Sequence, residues 1–168
     1  HPHFFPLRKG ERYLPPDNNT HGWQPCFAAE GLEDEAVKNI IRFFDENPDA
    51  TSYSLGVVDS SGHCECEACQ ALDTGELNFL GRRDVSDRYY GWCNRVVQRV
   101  LEKHPGKTFG CLAYSEVAQP PSKVKVHETI VPYMTYDRMK WIVPSLRVEG
   151  EQMTRNWHAA SPVLGWYD

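Results

Sequence analysis

The sequence predicts an α/β domain of parallel βαβ units, forming part of a (β/α)8 TIM-type barrel. Three observations predict it. Short apolar runs alternate with longer segments whose apolar residues recur every three or four positions. The resulting order, β-α-β-α-β-β-α-β, is that of strands joined by right-handed crossovers into a parallel sheet. No Gly-rich phosphate loop follows any strand, and Gly56 stands alone inside its run. That favours an arc of a barrel over an open nucleotide-binding sheet.

The elements follow in order. Residues 1–22 are rich in Pro, His and turn formers and read as an irregular segment, with a short strand pair around Gly10. Residues 23–28 form a short strand, against which Pro25 counts. Residues 33–46 are helical, because Ala36, Val37, Ile40, Ile41 and Phe44 build one apolar stripe. Asn47-Pro48-Asp49 stops that helix. Residues 52–58 form a strand whose apolar and small residues suit burial on both faces. A cysteine-rich loop and a polar stretch lead to a second helix over 87–104, capped by Asp84 or Ser86 and ended by Pro105-Gly106. Strands follow at 108–114 and, after Pro120-Pro121, at 129–135. A helix over 149–159 and a strand over 163–167 complete the series.

The chain has 168 residues, enough for one domain, and 40% of them are apolar and 24% charged. No apolar run approaches the ~20 residues that span a bilayer. A net charge of −5 offers no attraction to nucleic acid or to an anionic membrane. The chain starts at His1 and stops straight after a strand-like run, so residues 1–168 read as a single α/β domain that is a fragment of a larger barrel. The remainder of the parent polypeptide is then its first partner. Asn18-Asn19-Thr20 matches the N-glycosylation pattern.

Cys64, Cys66 and Cys69 lie within six residues at C-x-C-x-x-C spacing, directly after the strand that ends at Asp59. A closed zinc site takes four thiolate or imidazole ligands. Cys26, on the same rim, or His63 supplies the fourth. A disulfide from Cys26 to one of the three is the alternative in an oxidising compartment. Either arrangement fixes a loop beside Asp59. Cys93 and Cys111 sit in apolar patterns and read as small core residues.

Function in parallel α/β folds collects at the C-terminal strand ends. Those ends offer Gln24 and Cys26; Asp59 and Ser60; Tyr114, Ser115 and Glu116; Thr135, Tyr136 and Asp137; and Tyr167 and Asp168. Carboxylates gathered with aromatic rings suit a carbohydrate site, in which paired carboxyls supply acid, base or nucleophile. Asp59 and Asp168 are the catalytic candidates, and His21, Trp23 and Tyr114 the candidate sugar contacts. Trp141, Trp157 and Trp166 read as packing residues.

Several strings resemble a bacterial family of uncharacterised, glycosidase-like proteins. They are Leu55-Gly56-Val57-Val58-Asp59 with the following cysteine run to Asp73, and Tyr90-Gly91-Trp92-Cys93-Asn94-Arg95-Val96. Leu112-Ala113-Tyr114 with Pro120-Pro121, and His21-Gly22-Trp23-Gln24-Pro25-Cys26, add to them; Gly10-Glu11-Arg12-Tyr13 is a weaker match. That family is a domain of unknown function in large, usually exported proteins. It is similar in outline to α-glucuronidase and β-N-acetylhexosaminidase barrels. The resemblance implies a (β/α)8 glycosidase-type barrel, of which this chain is a middle-to-late portion. It also implies that Cys26 and the three-cysteine loop form one constellation. The expectation is therefore a glycoside hydrolase-like domain acting on a carbohydrate, its cysteine loop a rigid wall of the site held by structural zinc or by a disulfide. Its setting would be exported, periplasmic or at the bacterial cell surface. A non-catalytic carbohydrate-binding module and a zinc-stabilised interaction domain are the alternatives.

Overall fold

The computed structural model describes residues 1–17 and 19–167. Asp168, and Asn18 of the glycosylation tripeptide, lie outside the described residues. A hairpin opens the chain: β1 (Leu7–Arg8) pairs antiparallel with β2 (Glu11–Arg12). Its turn uses positive φ at Lys9 (50°) and Gly10 (83°). Then come α1 (Leu32–Glu46), β3 (Ser52–Ser54), α2 (Glu67–Gln70), α3 (Ser86–Lys103), β4 (Thr108–Ala113), β5 (Ile130–Met134), α4 (Pro144–Ala160) and β6 (Gly165–Trp166). Strands β3 to β6 form a four-stranded parallel sheet in sequence order.

The expected strand over 23–28 is absent, because its backbone groups are used elsewhere. Gln24 N donates to Gly62 O, Cys26 N to Phe4 O, and Ala29 N turns back to Cys26 O. Pro25 has no N–H to offer a ladder. Strand β3 stops at Ser54, short of residue 58, although Leu55 N still donates to Gly110 O. The last helix starts five residues earlier than expected, with Pro144 in its first turn, where a missing N–H costs nothing.

Burial alternates along the sheet. Phe109, Cys111, Ala113, Ile130 and Met134 are buried, whereas Ser52, Ser54 and Tyr133 on the other face are exposed. Burial of β3 on both faces is therefore not what the described residues show. Helix α3 supplies the largest share of the core through Tyr89, Tyr90, Trp92, Cys93, Val96, Val97 and Val100. Helix α1 packs on α3 through Val37, Ile40 and Phe44, and its acidic first turn suits the positive end of its dipole. Trp157 of α4 is fully buried and donates from Nε1 to Ala118 O at 2.9 Å. No helix among the described residues is long and apolar enough to cross a membrane.

Candidate metal centre and strand-end cleft

The loop after β3 is held from three sides. Gln24 Nε2 donates to the carbonyls of Val58 (2.7 Å) and Ser60 (2.8 Å). Glu65 N donates to Leu7 O, and Lys9 N donates to Glu65 Oε2, so the hairpin clasps the loop from outside. Gly62 lies flat against residues 22–23; a Cβ there would stand 2.5 Å from Gly22 O and 2.8 Å from Trp23 Cα. Helix α2 begins just after Cys66 and carries Cys69 on its third residue.

This folding gathers Cys26, Cys64, Cys66 and Cys69. Their four sulfurs all lie within 4.8 Å of one another. Cys26 Sγ is 3.7 Å from both Cys66 Sγ and Cys69 Sγ, and all four cysteines are free thiols. A disulfide would need about 2.05 Å. A metal with bonds of about 2.3 Å to sulfur sits in a tetrahedron whose edges are about 3.8 Å. Both Cys26 separations match that edge and the other pairs stay within 4.8 Å, so the four cysteines can hold a metal ion. Backbone donors suit thiolates as well: Leu7 N lies 3.2 Å from Cys64 Sγ, and Ala28 hydrogen-bonds at Cys26 and Cys69.

The thiols also ionise interdependently. The Cys69 hydrogen bond draws Cys26 down to about 5, and the same bond, then burial, pushes Cys69 up. Burial pushes Cys64 up. Cys26 rather than His63 completes the group. The His63 ring is buried with Nδ1 unpartnered, and burial lowers its pKa to about 4, leaving it neutral at pH 7. Cys93 and Cys111 are buried core residues.

Arg88 ties the centre to the core. Its side chain is fully buried, its Nε and Nη2 donate to Asp73, and its Nη1 donates to Cys64 O at 2.8 Å. The guanidinium's positive charge favours the thiolate of Cys69. The sequence does not show this pair, because its partners are 15 residues apart, Asp73 in a polar stretch and Arg88 at the start of α3, and only the tertiary fold joins them.

A second site lies at the C-terminal ends of β3, β4 and β5. Tyr114 Oη donates to Asp59 Oδ1 at 2.6 Å, and that bond raises the tyrosine's pKa. Asp59, Tyr114, Thr135, Asp137 and Tyr167 line a cavity of about 450 Å³. An adjoining cavity of about 300 Å³ shares Tyr114, Thr135 and Asp137 with it and adds Phe79, Arg82, Tyr136 and Lys140. Both fall at the small end of the ~300–1,000 Å³ range of small-molecule sites.

Of the sequence-selected residues, Asp59 and Tyr114 come together here. Trp23 lines a neighbouring cavity that shares only Val57 with the larger one, and its Nε1 donates to Thr20 O. His21 is exposed and lines neither strand-end cavity. Asp168 lies outside the described residues.

Glu116 is buried beside the cleft. Burial alone would raise its pKa, but hydroxyl hydrogen bonds from Ser115 and Ser61 outweigh burial and hold it below the usual carboxylate value. Arg82 Nη1 is 3.9 Å from Glu116 Oε1 and 3.4 Å from Ser61 Oγ. Ser115 has a positive φ of 54°, a strained geometry for a residue with a side chain.

Together these features define a mixed α/β domain with a parallel sheet, a four-cysteine centre able to hold metal, and a cleft at its strand ends. The chain belongs to the family described as "Domain of unknown function (DUF4838)", whose profile matches residues 1–166. Neither a curated protein nor a solved structure matches the chain.

Proposed function

We propose that this chain is part of a (β/α)8-type domain that hydrolyses glycosidic bonds, with zinc in the four-cysteine centre as a structural ion. The observation that carries the reading is the cavity of about 450 Å³ in which Asp59 stands with Asp137, Tyr114 and Tyr167 at the strand ends. Carboxyls and aromatic rings on one wall suit a sugar, and chemistry in parallel α/β folds sits at this end of the sheet. The barrel reading is supported by parallel strands in sequence order and by the exposed face opposite the buried one. Parallel sheets are normally covered on both faces, so the remainder of a longer polypeptide would cover this one. Zinc is supported by an all-sulfur ligand set at tetrahedral spacing. Export in a bacterium rests on the sequence resemblance alone.

In this reading zinc does no chemistry. It holds the loop that begins at Asp59, five residues before Cys64. Asp59, oriented by the Tyr114 hydroxyl, works on the sugar's anomeric carbon. The test is a screen of the full-length polypeptide against glycans and aryl glycosides, followed by Asp59→Asn. Hydrolysis that falls at least 100-fold in Asp59→Asn supports the reading. Hydrolysis unchanged by Asp59→Asn refutes the role of Asp59, and no turnover across the panel refutes the activity.

A further inference from the structure

We propose that Asp137 is the proton donor to the leaving group, standing between two adjoining sugar subsites. The inference rests on the glycosidase reading and deepens it. Its basis is a property of the cleft. Two cavities, of about 450 Å³ and 300 Å³, meet along a wall built by Tyr114, Thr135 and Asp137. A glycan with one ring in each cavity must pass its linking oxygen across that wall. Among the described residues Asp137 is the one carboxyl of the shared wall, and Asp59 lines only the larger cavity.

The local structure fixes Asp137 without consuming it. It stands three residues past the end of β5 and caps the turn Arg138–Ile142, its Oδ1 accepting from Met139 N at 2.9 Å. The residue is exposed, so a substrate can reach it. Thr135 on the same wall is turned back, its hydroxyl donating to Ala113 O, and Tyr114 is committed to Asp59. Neither can give a proton to a linking oxygen without breaking that bond. The larger cavity then takes the ring whose anomeric carbon reacts. The smaller one, with Phe79, Tyr136, Arg82 and Lys140, takes the ring that leaves.

The step balances. The bond between anomeric carbon and linking oxygen breaks, and its electron pair goes to the oxygen, which takes the Asp137 proton. One water is consumed: Asp59 takes its proton, its hydroxyl ends on the anomeric carbon on the Asp59 side, and exchange with solvent returns that proton from Asp59 to Asp137. Cleavage needs the smaller cavity filled, by a second sugar ring or by an aryl leaving group.

Leaving-group dependence tests the role. A 2,4-dinitrophenyl leaving group departs without protonation, whereas a sugar hydroxyl does not. Asp137→Ala and Asp59→Asn are compared in the full-length polypeptide on a disaccharide and on the dinitrophenyl glycoside of the same sugar, with circular dichroism confirming the fold. The expected result for Asp137→Ala is a loss of about 10²–10⁴-fold on the disaccharide and under about tenfold on the dinitrophenyl glycoside. Asp59→Asn should lose both. Equal losses on the two substrates, or no loss on either, in Asp137→Ala would overturn the proposal while leaving the hydrolase reading intact. A wild-type protein inert on every glycoside would overturn both.

Discussion

Replacing Asp73 by Asn should destabilise the domain more than any surface change. The Arg88 side chain is 0% exposed and that of Asp73 is 4% exposed, so neither charge can turn to water. Arg88 Nε and Nη2 both end on Asp73, and Nη1 ends on Cys64 O. Asn keeps the volume but offers one acceptor oxygen and no charge, leaving a buried guanidinium uncompensated. Breaking a buried pair in this way costs about 3–5 kcal/mol. In a chain of 168 residues that corresponds to a fall in Tm of about 6–20 °C. The assay is urea and thermal unfolding followed by tryptophan fluorescence, at fixed zinc concentration. Replacing both partners together, Arg88→Met with Asp73→Leu, should recover most of the loss, because no orphaned charge remains. A loss under about 1 kcal/mol in Asp73→Asn, the size of an exposed pair, would refute the argument.

Two further outcomes follow from the same geometry. Gly62→Ala puts a methyl group against the backbone of Gly22 and Trp23, so the loop must move. It should lose about 1–3 kcal/mol and bind zinc more weakly, as a competitive chelator titration would show. Glu116 has a lowered pKa in the folded state, so its carboxylate stabilises the fold above the unfolded value and that contribution fades as pH falls through the folded value. Glu116→Gln should therefore flatten the loss of stability as pH falls below the ordinary carboxylate value, measured by unfolding at stepped pH; an unaltered acid limb would contradict the hydrogen-bond account.

What could be read from the sequence was what repeats locally. The stripe from Ala36 to Phe44 placed α1 within a residue of its observed bounds, Leu32–Glu46. The helix expected over 87–104 came as close to α3, Ser86–Lys103. Strands β4 and β5 were legible because their apolar runs are bounded by turn residues. The run 23–28 misled, since its backbone donors go to Gly62 and Phe4 rather than to a neighbouring strand, and Pro25 was the warning. The metal centre was legible in part: C-x-C-x-x-C is a local pattern, and Cys26 was placed on the same rim. It reaches that position through a turn rather than at a strand end. The Arg88–Asp73 pair and the burial of Glu116 were not legible, because charged residues carry no periodic signature and their partners are set by the tertiary fold. Asp137 stood among the strand ends, but only the shape of the two cavities singles it out.

Metal content measured on freshly purified protein, with thiols counted after denaturation, tests the central claim that four cysteines form a metal centre holding the Asp59 loop. The account predicts one zinc per chain and all six cysteines of the sequence free. It also predicts loss of that zinc in Cys69→Ser. Protein without metal and with two or four thiols missing would contradict it, and would make the loop a disulfide clamp.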